Sequence, residues 1–310
     1  MMPHSIGSPG LWLGFIAFVM LMLALDLGMF HRRSHTVHYK EALAWSAVWI
    51  ALSMVFAGGV WWFFGAKPGM EFLTGYLIEK SLSVDNLFVF VLVFSAFKVP
   101  LHYQHRILYW GITTALFLRA AMILAGTALL ARFHWMFYVF GAFLVFTGAK
   151  LLFTKDKDED PKSSWIMQGL RKILPMTPSL ESGRFFTVEN GKRLATPLFM
   201  ALVLVEISDI IFALDSIPAI FAVTLDPFIV FTSNIFAILG LRSLYFLLAD
   251  AVDKLRYLKH GIAAVLVFVG VKMLVAEWWT IASPASLLVV LVVLGGATGF
   301  SLLKTADRRK

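Results

Sequence analysis

Six acidic residues lie inside long apolar runs of this sequence, and five of them fall in only two of those runs. A carboxylate costs about 2.5–3.5 kcal/mol at the centre of a membrane helix, so this concentration needs compensation by a cation, by protons or by basic partners. Carboxylate oxygens suit hard divalent cations such as Mn²⁺, Mg²⁺ and Ca²⁺, and the sequence has no cysteine to offer a thiolate. The sixth acid, Asp26, lies apart in the first run. The five candidate metal ligands are Glu79, Asp85, Glu206, Asp209 and Asp215.

The two acid-rich runs resemble each other. One reads EKSLSVDN from Glu79 and the other reads DIIFALDS from Asp209, so each has an acid, five residues, an aspartate and then an amide or hydroxyl side chain. The runs are three apart along the chain, and as membrane helices they would cross in opposite directions. This pattern predicts an inverted-topology repeat with a shared site near the middle of the membrane. We expect Ser83, Asn86 and Ser216 to add oxygen ligands to that site.

Helix geometry limits which of these acids can meet at one ion. Six residues turn a straight helix by about 600°, so Glu79 and Asp85 point about 120° apart. Bringing Asp85 or Asp215 to the same ion requires a kink or an unwound turn. Pro218 predicts such a kink in the second run, because its ring removes a donor and frees the carbonyl of Leu214. The first run has no proline, so a break there is a hypothesis.

Buried ion pairs are the alternative explanation for the acids. We take the basic residues inside the runs, Lys80, Arg119 and Lys272, as counter-charges, but three bases cannot neutralise six acids. Burial and crowding of like charges favour the protonated form of some carboxyls, so protons can replace a departing metal. Outward movement of a divalent cation against an inside-negative potential costs about 4.6 kcal/mol per 100 mV, so its export must be driven.

The elements that must position these residues are membrane helices. Hydrophobic residues make up 59% of the 310 and charged residues 15%, against about 45–50% and 25% in soluble domains. The composition excludes a soluble protein and predicts an all-α polytopic membrane protein. About nine runs can cross roughly 30 Å of hydrocarbon as helices. They lie near 11–30, 42–66, 72–97, 107–131, 134–154, 196–223, 228–249, 260–281 and 284–303.

Basic residues predict the orientation of these spans. Of the 27 lysines and arginines, 22 fall on one set of connections, and only Lys67 and Arg132 fall on the other. The positive-inside rule then places the N-terminus outside and the C-terminus in the cytoplasm, in the inner (cytoplasmic) membrane. Residues 1–10 carry no Lys or Arg, so we expect the first run to be a retained helix and not a signal peptide. The net charge of +8 therefore reports topology, and we expect no nucleic-acid partner.

One long connection, 155–195, divides the chain into two membrane halves. The first half, 1–154, has five predicted spans, and the second, 196–310, has four. The connection begins with KDKDED, which is typical of a solvated cytoplasmic loop. Apolar residues within 165–174 share a helical face, which predicts a short helix on the inner membrane surface.

Two motifs carry a resemblance to a known family. EKSLSVDNLFVF at 79–90 and EISDIIFALDSIPAIFAV at 206–223 resemble the TerC family of integral membrane proteins, more closely its Alx branch, and the likeness covers nearly the whole chain. The family belongs to a LysE-type superfamily of exporters built from inverted repeats, and it is associated with manganese export, tellurite resistance and a redox-modulator role. By position, its acidic metal residues correspond to the five acids named above. The resemblance implies Mn²⁺, whereas the oxygen chemistry alone leaves Ca²⁺ open.

Three functions compete at this stage, and we predict that the protein is not an enzyme and has no resident cofactor. The first is a secondary transporter that exports Mn²⁺ in exchange for protons, with the bilayer, the metal and protons as its partners. The second is a non-transporting scaffold or redox and stress modulator acting through the cytoplasmic loop. Without cysteine, any redox effect would be indirect. The third, an exporter of organic cations or amino acids, would need fewer clustered acids.

Overall fold

The structure of the chain is a computed structural model. The charge run 155–160 and, apart from Gly169, the predicted surface helix 165–174 lie outside the residues it describes. The described residues are 5–30, 39–133, 135–153, 169, 175–177, 183–189, 191–248, 258–276, 278–279 and 281–307.

Helices account for most of the described residues, with one short hairpin between the two halves. The helices are α1 (Pro9–Phe30), α2 (Tyr39–Phe64), α3 (Ala66–Ala96), α4 (Leu101–Arg132), α5 (Met136–Phe153), α6 (Pro197–Phe221), α7 (Pro227–Leu239), α8 (Leu241–Leu248), α9 (Leu258–Leu274) and α10 (Ser283–Asp307). The strands are β1 (Phe186–Glu189) and β2 (Lys192–Ala195).

Six described segments are long and apolar enough to cross a membrane, which confirms a polytopic, mainly helical membrane protein. The apolar part of α1, Pro9–Leu25, is shorter. α3 has 31 residues, but Glu79, Lys80 and Asp85 interrupt its apolar middle, and α9 has only 17 residues. The six segments are Lys40–Phe64, Leu101–Leu130, Met136–Phe153, Pro197–Phe221, Pro227–Leu247 and Ser283–Ser301.

The centre of the fold is where α3, α4, α6 and α7 pack together. Every residue of α7 from Phe228 to Leu239 is buried, as expected of a helix that is apolar on all sides. Both α6 and α7 begin with a capping side chain followed by proline. Thr196 accepts from the backbone N–H of Phe199, and Asp226 accepts from those of Phe228 and Ile229.

The predicted run 228–249 contains two helices instead of one. α7 ends at Leu239, α8 begins at Leu241, and Gly240 lies between them. A Cβ on Gly240 would lie 2.9 Å from Lys80 Nζ, so a larger residue would displace that ammonium. Lys80 Nζ donates to the carbonyl of Ala237 at 3.1 Å, one of the carbonyls left unpaired at the end of α7.

Part of the predicted loop 155–195 forms an antiparallel hairpin, a small departure from the all-α prediction. β1 and β2 pair with Phe186 opposite Ala195, and Gly191 turns the chain with φ +74°. Arg106, near the start of α4, holds this region through its Nη1, which donates to the Gly183 carbonyl at 2.7 Å. A loop prediction missed the hairpin because its strands have only four residues each.

Candidate functional site

A buried arginine joins the two acid-rich helices. Arg119 on α4 is 1% exposed and contacts one acid from α3 and one from α6. Its Nε and Nη2 donate to Asp209 Oδ2 and Oδ1 at 3.1 and 2.7 Å, a two-pronged pairing. Its Nη1 donates to Glu79 Oε1 and, at 3.2 Å, to Asn234 Oδ1. One positive charge therefore lies between two buried carboxylates.

Two amides complete the hydrogen bonds of these carboxylates. Asn234 Nδ2 on α7 donates to Glu79 Oε2 at 3.1 Å, and Asn86 Nδ2 on α3 donates to Asp209 Oδ1 at 3.3 Å. All four carboxylate oxygens of Glu79 and Asp209 thus receive a donor. Asn234 was not among the predicted site residues, and the signal that could have found it is an amide inside an otherwise apolar run.

Glu206 lies one helical turn before Asp209 and faces a small cavity. The cavity has a volume of about 10 Å³ and is lined by both acids and by Gly111 and Ala115 of α4. That is room for about one water molecule. Neither carboxylate oxygen of Glu206 has a hydrogen-bond partner within the described part of the chain, although Thr114 lies nearby.

Buried oxygens that lack a partner are concentrated on α3 and α6. An unsatisfied buried polar atom costs about 1–3 kcal/mol, so a group of them needs an explanation such as a bound cation or ordered water. Their chemistry, carboxylate, amide and hydroxyl, is that of a hard-cation site. Among the described residues, five of these oxygens are on α3 and α6 and one is on α2: Ser83 Oγ, Asn86 Oδ1, Glu206 Oε1 and Oε2, and Ser216 Oγ, with Ser46 Oγ on α2.

The five predicted acids do not all meet in the described structure. Asp215 is half-buried and faces α5, where Thr147 and Lys150 are its polar neighbours. Asp85 belongs to α3, but its side chain is outside the described part. Among the described side chains, no three acidic or histidine residues form a group that could hold a metal ion. α6 continues as one helix through Pro218, and the predicted kink there stays a prediction.

The three predicted counter-charges have different surroundings. Arg119 contacts two of the five acids, whereas Lys80 contacts the Ala237 carbonyl and Lys272 donates to Ser286 Oγ at 2.8 Å. Lys80 follows Glu79 directly, so it is turned about 100° away from the face of α3 that carries that acid. Neither lysine forms an ion pair with a described acid of the site, and their role as counter-charges stays a prediction.

Comparison with known proteins gives a consistent set of relatives. The family model "Integral membrane protein TerC family" matches residues 64–310. The chain is 62% identical over 301 residues to "Uncharacterized membrane protein STKORF319" of Myxococcus xanthus, which covers 97% of this chain and 94% of the relative. It is 47% identical over 300 residues to "Putative membrane-bound redox modulator Alx" of Escherichia coli (strain K12), with 94% of each covered. No solved structure matches the chain.

Proposed function

The chain belongs to the TerC family of integral membrane proteins, and from that premise we propose that it is a secondary transporter exporting a divalent metal ion, Mn²⁺, across the cytoplasmic membrane. One observation carries the proposal. The buried oxygens without a partner at Ser83, Asn86, Glu206 and Ser216 lie on the two helices that also supply Glu79 and Asp209. The proposal accounts for these oxygens as the coordination groups of a transported cation.

The binding site of this proposal lies between α3 and α6. Glu79, Asp209 and Glu206 supply negative charge, and Ser83 and Asn86 supply neutral oxygens. Ser216 lies ten residues, or about 15 Å, beyond Glu206 along α6, so it can join them only after that helix rearranges. Two of these groups are already close together, because Glu79 and Asp209 both contact the guanidinium of Arg119. Asp85 and Asp215 join the set through the resemblance of their motifs, so the proposal requires that α3 or α6 rearranges during transport.

The proposal includes nine spans arranged as an inverted repeat. In this arrangement α3 and α9 also cross the membrane, and α7 with α8 forms one interrupted span. An odd number of spans places the two termini on opposite sides of the membrane. The distribution of basic residues predicts that the N-terminus is outside and the C-terminus in the cytoplasm. α3 and α6 are then the equivalent helices of the two repeats, and the shared site lies at their contact.

Proton exchange is the proposed driving reaction. A divalent cation that leaves the cell against an inside-negative potential must be coupled to a favourable movement. The carboxylates provide acceptors that can carry protons inward once the metal has left. Export through such an exchange consumes the proton gradient and needs no cofactor.

Flux of metal into proteoliposomes tests the proposal. Purified protein is reconstituted with an internal pH dye, and Mn²⁺, Ca²⁺, Mg²⁺ and Zn²⁺ are compared. We expect Mn²⁺ movement with opposite proton movement, and loss of both in Asp85→Asn and Asp215→Asn. A well-inserted wild-type protein that moves no divalent cation would contradict transport.

The alternative is a non-transporting redox or stress modulator, which the printed name of the Escherichia coli relative suggests for that protein. This chain has no cysteine, so it cannot exchange disulfides itself. Absence of flux together with a redox phenotype would favour this alternative.

A further inference from the structure

The contacts of Arg119 identify a positive charge that belongs to the protein and lies where a cation substrate would bind. On the basis of the proposed function, we propose that Arg119 is a tethered cation that competes with the transported metal for Glu79 and Asp209. The guanidinium is 1% exposed and lies between α3, α6 and α7 while its backbone belongs to α4. It is therefore held in the protein interior, out of contact with solvent.

The carboxylate oxygens of Glu79 and Asp209 already have hydrogen-bond partners. Arg119 takes both oxygens of Asp209 and one oxygen of Glu79, and the Asn234 amide takes the other. The partnerless oxygens belong to other residues of the same two helices, Glu206 among them. A metal that binds the partnerless oxygens together with Glu79 and Asp209 competes with the guanidinium for the lone pairs of these two carboxylates.

Charge repulsion prevents the metal and the guanidinium from binding these carboxylates at the same time. The guanidinium compensates one of the two negative charges of Glu79 and Asp209, whereas a divalent cation compensates both. A guanidinium and a divalent cation on the same carboxylates would repel each other strongly in a buried environment. The two cations therefore alternate on these acids.

The alternation gives Arg119 a role in transport. When the metal leaves, two buried carboxylates would remain without a counter-charge, which is strongly unfavourable in a membrane interior. Return of the guanidinium to Glu79 and Asp209 compensates them again. Arg119 thus weakens metal binding enough for release and stabilises the carrier during its return without metal.

Equilibrium Mn²⁺ binding to the purified full-length protein tests the competition at fixed pH. If the guanidinium holds the acids in about nine-tenths of the molecules, Arg119→Gln tightens Mn²⁺ binding about tenfold. Arg119→Lys keeps the charge but loses the two-pronged geometry, so we expect a Mn²⁺ affinity between those of the wild type and Arg119→Gln. If Arg119→Gln does not fold, Arg119→Lys shows whether loss of the guanidinium raises or lowers the Mn²⁺ affinity. Lys272→Gln removes an intramembrane charge whose ammonium contacts Ser286, and it should leave the affinity within about twofold of wild type.

A second measurement separates competition from a structural role. Arg119→Ala removes the tethered guanidinium, and millimolar free guanidinium ion should then compete with Mn²⁺ in this variant and not in the wild type. In proteoliposomes, Arg119→Gln should keep Mn²⁺/Mn²⁺ exchange and lose net Mn²⁺ efflux, because only net efflux requires the carrier to return without metal. A general folding defect would lower both.

The outcomes distinguish this inference from the proposed function. If the wild type binds Mn²⁺ and folded Arg119 variants bind it equally or more weakly, the role of Arg119 as a competing cation is wrong. The proposed transport function is not affected by that result. If neither the wild type nor any variant binds a divalent cation, the transport function and this inference fall together. Binding by the variants with none by the wild type supports the competition.

Discussion

At the residue scale, the site contains acids of two kinds. Asp209 and Glu79 are fully hydrogen-bonded through Arg119 and the amides of Asn86 and Asn234, whereas Glu206 has no partner in the described structure. The first kind stabilises the contact between helices, because loss of one member leaves another buried charge uncompensated. The second kind contributes little to the fold and is free to bind a ligand.

Paired substitutions test this division. Asp209→Asn leaves Arg119 with one acid, and we expect a loss of unfolding free energy of about 3–5 kcal/mol. Glu206→Gln removes a buried charge that has no ion-pair partner among the described residues, so we expect no loss of stability while Mn²⁺ binding weakens. Thermal unfolding in detergent and Mn²⁺ titration measure the two effects. Equal destabilisation by both variants would refute the division.

Asn234 provides a test of the hydrogen-bond network that the sequence did not predict. Asn234→Leu removes the donor to Glu79 Oε2 and the acceptor from Arg119, so we expect destabilisation of about 1–3 kcal/mol and a lower Mn²⁺ flux. Thr232→Val is the matched control, because among the described residues the Thr232 hydroxyl bonds to carbonyls of its own helix, α7. The control should melt near the wild-type temperature, and a similar loss in both variants would contradict a special role for the amide.

At the element scale, close helix contacts keep the acid-rich helices in place from outside. α9 packs tightly on α5, where a Cβ on Gly270 would lie 2.7 Å from the Gly141 carbonyl oxygen. Small residues let two helix backbones approach in this way. α5 in turn packs on α6 and supplies the polar neighbours of Asp215.

Gly270→Ala tests the contact between α5 and α9. The added methyl group has no room, so we expect a loss of about 1–3 kcal/mol of stability. Gly295→Ala on α10 is the control, because a Cβ there meets nothing within 4 Å, and it should be neutral or slightly stabilising. Melting temperatures in detergent compare the two, and a Gly270→Ala protein as stable as the control would show that the helices can separate without cost.

At the scale of the whole molecule, contacts between distant parts of the chain identify the two ends of the helix bundle. Ser5 Oγ and the Ile6 backbone N–H both donate to Asp226, so the N-terminal segment lies beside the connection between α6 and α7. The β-hairpin lies beside the start of α4 through Arg106. The positive-inside rule predicts the first of these ends outside and the second in the cytoplasm.

The absence of cysteine makes this orientation easy to test. Single cysteines are introduced as Lys67→Cys, in the first turn of α3, and Lys192→Cys, in β2, both at exposed positions. A membrane-impermeant maleimide should label the first in intact cells and the second only after the membrane is opened. The reverse pattern would invert the topology, and the cysteine-free wild type gives the background.

Composition and periodicity were enough to predict a polytopic helical membrane protein, because apolar runs of this length have few alternatives. The same runs predicted that Glu79, Asp209 and Arg119 lie within the membrane, from their positions along the apolar runs. Depth does not determine which helices are neighbours, and helical periodicity describes only the faces of each helix separately.

Packing of the helices therefore decides which partner each charged residue has. It placed Arg119 between Glu79 and Asp209, turned Asp215 toward α5, and directed Lys80 to the unpaired end of α7. Each of these contacts joins residues distant in the chain, where a rotation of one helix by a single residue, about 100°, selects a different partner. The sequence contains the charges of the site, and their partners follow from how the helices pack.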